Sequence, residues 1–358
     1  MAVSRNFHVA RGEACVRVAE LTREITIIGG GLAGLSLAVA LRRQGVPVTV
    51  LEAGQYPRHR VCGEFISGVS PTTLDSLGIR DLFDDARRHR SLCWHEGGRT
   101  IHRATLSEPA LGISRFVLDG RLKRRVEAMG GAVKTGFRVQ PAAMEGVVWA
   151  AGRRPRPGPW IGLKAHVRGV PMSADLEMHA GRNGYAGLAG VEDGWVNVCG
   201  LFQIDRTLGV KGRDLLPAYL EAGGNPGLAE NLRDVEWREG SFCAVAGFEL
   251  GRQPEVPGLL CLGDAESMIP PFTGNGMTMA FQAAECACGP LGQWASGELA
   301  WQAAVNRLRD ALARRFRRRL AVARVLHRVL FDAAGRSLLQ SVASAGLLPF
   351  TRMLSLVR

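Results

Sequence analysis

Apolar residues fall into short unbroken runs near the start of the chain. Ile25-Thr-Ile-Ile28 and Val46-Pro-Val-Thr-Val-Leu51 read as strands covered on both faces. Between them, Leu32 to Leu41 is apolar enough for a buried helix, so residues 25–51 spell strand, helix, strand. Ser70 before Pro71 is an N-cap followed by a first helical residue. Arg115 to Met129 predicts a helix that turns Leu122 and Val126 inward and stops at Gly130 or Gly131. Another strand is expected over 146–152.

From Trp160 the period changes to two. The stretches 161–170, 174–180 and 194–202 alternate or are β-branched, and Arg182-Asn-Gly184 and Glu192-Asp-Gly194 separate them as turns. The buried-strand pattern returns at Pro257-Gly-Leu-Leu-Cys-Leu-Gly-Asp264, and from Trp301 onward the period is helical. The expected fold class is α/β: a Rossmann-like dinucleotide domain, an inserted mixed or antiparallel sheet, and a C-terminal helical region. The expected division is a tail over 1–23, the first nucleotide-binding part over 24–158, a β-rich substrate domain over 159–250, the second nucleotide-binding part over 251–300, and basic helices over 301–358.

Composition changes this picture in three places. No apolar run reaches about 18 residues and no secretory pattern opens the chain, which leads us to expect a cytoplasmic protein. The eight cysteines include no CxxC pair, and no metal is expected. The net charge is +12, but residues 301–358 hold twelve Arg against two Asp, so the basicity belongs to one segment and a nucleic-acid partner is not expected. In that segment Arg314 to Arg319 interrupts an apolar stripe of Leu312, Phe316, Leu320, Val322, Val325 and Leu326. A basic amphipathic helix of this kind fits peripheral contact with an anionic membrane as well as a solvated face.

The first strand runs into Gly29-Gly-Gly31-Leu32-Ala33-Gly34. Gly29 permits the tight turn, Gly31 lets main chain approach a pyrophosphate, Gly34 allows close helix–strand packing, and Glu52 ends the second strand where ribose hydroxyls need acceptors. Phosphate charge is favoured at the helix N-terminus near Leu32 and Ala33. A second motif decides among dinucleotides. Gly263 and Asp264 close a buried strand, and Pro271-Phe-Thr-Gly274-Asn275-Gly276 leads into a helix near Met277 whose positive end would face a flavin ring.

Together these motifs resemble the FAD-dependent monooxygenase superfamily with the para-hydroxybenzoate hydroxylase fold, in its geranylgeranyl reductase-like branch. The resemblance spans roughly residues 24–300, judged by the order of motifs. It implies FAD as cofactor and NADH or NADPH as electron donor. It also places Arg60, in the loop Arg58-His-Arg60-Val-Cys62-Gly-Glu64, and Arg115 near the flavin. Three features depart from the family. Ala151-Gly152-Arg153 replaces its Asp-Gly motif, the stretch between Val139 and Val147 is too short for its β-meander, and the Trp-x-Trp-x-Ile-Pro motif of flavin halogenases is absent.

Cys62 and Glu64 are the candidate catalytic residues, with Glu64 as proton donor or substrate anchor and Cys62 shaping the pocket. Lys164 and His166 share one strand face and are candidate pocket residues, and the resemblance adds Tyr185, which is similar in position to a pocket-lining tyrosine of geranylgeranyl reductases. The expected activity is NAD(P)H-dependent hydroxylation of a lipophilic aromatic or polyketide-like small molecule. The alternatives are saturation of isoprenoid double bonds and flavin binding without turnover.

Overall fold

The computed structural model describes residues 22–345, 347 and 349–357. The tail expected over 1–23 lies almost wholly outside them.

Two sheets organise the molecule. The first has five parallel strands in the order Leu260–Cys261, Val147–Trp149, Ile25–Ile28, Val48–Glu52 and Ala132–Thr135. The helices Leu32–Arg43, Arg115–Ala128 and Gly276–Ala295 pack around it and share one core with it. Ser114 caps the middle helix by accepting from Val117 N–H, and Leu118, Leu122 and Val126 are its buried side. Ser70 caps helix Pro71–Leu77 in the expected way, accepting from Thr73 N–H. Residues 136–146 contain no strand.

The second sheet is larger and mostly antiparallel. Its order is Glu236–Trp237, Trp160–Arg168, Val196–Gln203, Gly184–Gly190, Leu176–Ala180, Arg87–Glu96, Arg99–Gly112 and Phe65–Ile66, with Cys243–Ala246 also paired to Trp160–Arg168. Two findings depart from the sequence reading. The hairpin 87–112 and the strand Phe65–Ile66, expected within the first nucleotide-binding part, pair into this sheet. Gly184–Gly190 is a full strand although Gly184 reads as the end of a turn, Arg182-Asn-Gly184. A Cβ on Gly184 would lie 2.3 Å from the Leu201 carbonyl oxygen, so close strand packing explains that glycine.

Register assigns the faces. Leu163, Ala165, Val167, Ala186, Leu188 and Val198 share one side, where they pack against helices Leu215–Gly223 and Pro226–Arg233. Lys164, His166, Asn197, Cys199 and Tyr185 lie on the other side, toward the nucleotide domain.

The C-terminal region is helical over Trp301–Phe331, Ala333–Ser344 and Phe350–Leu356. Most of the apolar stripe of the long helix faces the core: Leu312, Phe316 and Ala323 are buried, Leu320, Val322 and Leu326 are partly buried against it, Val325 is exposed, and Arg319 is itself buried with Nη1 donating to Gln282 Oε1 at 2.8 Å. The arginine run is therefore split between core and surface. No helix of the described residues is long and apolar enough to cross a membrane.

Candidate functional site

Three glycines at the first turn have distinct physical reasons to be glycine. Gly29 has φ +111°, and a Cβ there would meet Ala150 O at 2.3 Å. At Gly34 a Cβ would lie 2.1 Å from Gly29 O. Gly31 differs, because its φ is ordinary and a Cβ would find only Arg115 Nη2, at 3.8 Å. Packing leaves that position open, as a pyrophosphate approaching the main chain would require. The helix behind it, Leu32–Arg43, has no side-chain cap and no acid in its first turn, so its leading N–H groups are free for an anion.

A charged frame surrounds this turn. Glu52 accepts from Gly30 N–H at 2.7 Å, from Gly54 N–H at 2.8 Å and from Arg58 at 2.7 Å. Burial works against its charge, yet these hydrogen bonds and the Arg60 and Arg58 charges hold the carboxyl below its usual range. Glu52 thus braces the glycine turn from beneath. Arg115 forks onto the fully buried Asp119 with bonds of 2.7 and 2.8 Å, and Arg60 reaches the same carboxylate at 3.1 Å. Tyr56 donates its hydroxyl to Gly30 O. Asp119 and Tyr56 escaped the sequence reading; the i, i+4 spacing of Arg115 and Asp119 was the available signal.

The second motif closes the other side. Asp264 follows strand Leu260–Cys261 and is exposed, but desolvation is the strongest influence on its carboxyl and raises it above the usual range. Gly263, Asp264 and Gly276 line one small recess. Arg115 and Arg153 partly offset the effect, so both arginines are close to that recess. Gly274, with φ +65°, turns the chain into helix Gly276–Ala295, whose N-terminus has no side-chain cap. The adjoining Asn275 is fully buried, and its Oδ1 has no hydrogen-bond partner. Leu32, Ala33 and Met277 are buried at the two helix starts, while Pro271 is exposed beside Gly274.

Glu64, Lys164 and His166 come together, but not as expected. All three side chains are completely buried: His166 Nε2 is 2.5 Å from one Glu64 oxygen and Lys164 Nζ is 3.3 Å from the other. Arg115 N–H also donates to Glu64, at 3.0 Å, and Lys164 Nζ contacts His59 Nδ1 at 2.9 Å. Burial alone would raise the Glu64 carboxyl, but the His166 hydrogen bond and the Lys164 charge keep it below its usual range. A carboxylate held ionised, with every neighbour donating, is poorly suited to give up a proton. Lys164 and His166 have no free surface to line a pocket. The cluster instead ties the loop 58–64 to strand Trp160–Arg168 across the two sheets.

Cys62 is half-buried, its carbonyl accepts from Asn197 Nδ2 at 2.9 Å, and burial raises its thiol pKa, so it remains protonated. Tyr185 is buried among Leu201, Phe248, Trp160, Phe272 and Phe331. His327, from the long C-terminal helix, joins this aromatic wall 4.6 Å from the Phe331 ring and 5.1 Å from Trp160. Neither of its ring nitrogens has a partner, and burial pushes its pKa down to about 4. The wall is thus apolar and neutral. His327 could not be found from sequence, since it reads as one more position on a basic helix.

Comparison with known proteins follows this geometry. Residues 27–69 match the NAD(P)-binding Rossmann-like domain family. A 111-residue stretch is 32% identical to squalene epoxidase 4 of Arabidopsis thaliana, covering 29% of this chain and 21% of that protein. A 113-residue stretch is 28% identical to menaquinone reductase of Mycolicibacterium smegmatis, covering 30% and 27%. The matches thus span about a quarter of these relatives' lengths. Among solved structures, Klebsiella pneumoniae HpxO complexed with FAD and uric acid superposes with a TM-score of 0.72 over 94% of this chain and 96% of that one, at 17% identity. The chain has the FAD-dependent monooxygenase fold.

Proposed function

We propose that this chain is an FAD-dependent oxidoreductase that uses NADH or NADPH to hydroxylate a lipophilic small molecule, aromatic or polyketide-like. The observation that carries the reading is the recess itself. Gly31 gives an open glycine approach next to Arg115; Asp264 and the uncapped helix start at Gly276 line one cavity, and the Gly274 turn follows Phe272 of a wall of aromatic side chains. Gly31 and the Leu32 helix start would hold the pyrophosphate, Asp264 the ribityl side, and the Gly274–Gly276 turn the ring. Bound FAD supplies the two-electron chemistry and, with dioxygen, the inserted oxygen. The protein's own part is to position and dry the substrate, which Tyr185, Phe272, Phe331 and neutral His327 are built to do.

One observation favours reduction as the second reading. Cys62 is held through its carbonyl by Asn197 and burial keeps its thiol protonated, which would make it a proton source for double-bond saturation. The menaquinone reductase and squalene epoxidase similarities support the two readings equally, and both name lipophilic molecules. The exposed Val325, flanked on the long helix by exposed Arg324 and Arg328, and the exposed Leu338 and Leu347 fit substrate uptake from an anionic membrane surface. No nucleic-acid role is proposed.

Purified protein should be yellow and release FAD on denaturation; colourless protein that cannot be reconstituted would defeat the proposal. NADH and NADPH are then offered with lipophilic aromatic and polyprenyl substrates, with and without oxygen. Product only in air supports hydroxylation, and product without oxygen supports reduction. Failure of every combination to bleach the flavin would indicate binding without turnover.

A further inference from the structure

Among the described residues, two constellations join two histidines and a glutamate with their ligand atoms within 4.8 Å of one another. In the first, His59, Glu64 and His166, the Lys164 ammonium already stands among the three and supplies the positive charge. The second is His95, Glu177 and His179. It lies on the sheet face opposite the recess, because His179 pairs with Ala186 and Glu177 with Leu188, both packed against the covering helices. No lysine enters it; the nearby Arg103 is directed to the Ser173 carbonyl instead.

Its geometry is that of a ligand set. His95 and His179 are directly paired across the parallel strands, with rings stacked 4.5 Å apart. Both Nε2 atoms face one oxygen of Glu177, at 3.7 and 2.9 Å. The other Glu177 oxygen is fixed by Ser173, whose hydroxyl is at 2.8 Å and whose N–H also donates. His95 Nδ1 is bonded to Thr100 Oγ1 at 3.3 Å, which orients Nε2 inward. His95 Nε2 also lies 3.4 Å from Ser173 Oγ, a long contact that a bound ion would replace, and partners such as Thr100 and Ser173 on the outer atoms are the usual support of a metal site. The side chains are 11%, 4% and 11% exposed, so the site is enclosed yet reachable. Two imidazoles and one carboxylate suit a borderline divalent ion more than a hard one.

We propose that His95, Glu177 and His179 bind one Zn²⁺ ion, which clips strand Arg87–Glu96 to strand Leu176–Ala180 and leaves a fourth position for water. The ion displaces the proton shared between His179 and Glu177 and makes no redox demand.

The test uses the full chain, flavin-loaded, without an affinity tag and stripped with chelator. Titration calorimetry with ZnCl₂ should give one equivalent, whereas MgCl₂ should give none. The zinc-edge X-ray absorption spectrum should fit two imidazole nitrogens at about 2.0–2.1 Å. His95→Asn and His179→Asn should each weaken binding by on the order of 100-fold, and Thr100→Val by about tenfold. Flavin content should not change, since the site faces away from the recess. Well under one equivalent of zinc, a spectrum with sulfur or fewer than two imidazoles, or unchanged affinity in both histidine variants would overturn the proposal. If a variant fails to fold, the wild-type spectrum decides alone.

Discussion

The Tyr185 hydroxyl accepts a hydrogen bond of 2.9 Å from the backbone N–H of Phe272. Tyr185 belongs to the large sheet and Phe272 to the turn before helix Gly276–Ala295, so this bond joins the pocket wall to the turn proposed to meet the flavin ring. Burial raises the Tyr185 phenol far above its usual range, so the group stays neutral and keeps its acceptor.

Tyr185→Phe removes that acceptor while keeping the ring. Leaving the Phe272 N–H without its partner should cost about 1–3 kcal/mol in urea denaturation. Flavin release should also quicken if the bond holds the turn in place. Unchanged stability and release together would show that the turn is held by other contacts.

Gly31 and Gly34 make opposite predictions from one motif. Gly31→Val adds side chain to open space, so the protein should fold with a normal circular-dichroism spectrum but retain little or no FAD. Gly34→Ala instead drives a methyl to 2.1 Å from Gly29 O, and it should lower the melting temperature whether or not cofactor is present. Normal FAD content in Gly31→Val would place the pyrophosphate elsewhere.

Glu64 is the keystone between loop 58–64 and the large sheet. Glu64→Gln leaves the Lys164 charge buried without its counter-ion, and a broken buried pair typically costs about 3–5 kcal/mol. Lys164→Met should cost a comparable amount. The Glu64→Gln, Lys164→Met double variant should recover part of the loss, because no isolated charge remains. Additive losses in the double-mutant cycle would mean that the two groups act independently.

The same contrast explains what could be read from the chain. The glycine turns were legible because part of their constraint is local: Gly29 and Gly274 have positive φ, and Gly34 meets Gly29 within the same turn. The caps at Ser70 and Ser114 are local too. Glu64 and His166 lie 102 residues apart, and no local pattern reveals that one neutralises the other's surroundings. Lys164 and His166 were placed on the correct face, but a polar face looks the same in sequence whether it borders a pocket or a buried ion pair. Strand Gly184–Gly190 was hidden by Gly184, which reads as the end of a turn but here serves strand packing. The hairpin 87–112 was missed as part of the large sheet because its partner strand comes more than sixty residues later.

Acid should destabilise the fold in a defined window. Burial, with the Lys164 charge added, pushes His59 down to about 3, and burial pushes His327 to about 4, against 6.5 for an ordinary histidine. As pH falls below 6.5, the unfolded chain takes up protons that the folded chain refuses, so stability declines from there toward pH 3–4. Glu64 adds to the loss at lower pH: its folded pKa is depressed, so its contribution is present above the unfolded value of 4.5 and vanishes as pH falls through the folded one. His327→Phe keeps an aromatic group against Phe331 and Trp160 but removes one of these proton sinks. The urea midpoint of this variant should therefore fall less steeply than wild type between pH 6.5 and 4. Parallel curves for the two proteins would show that His327 titrates alike in the folded and unfolded chains, and the aromatic wall would then be open to water.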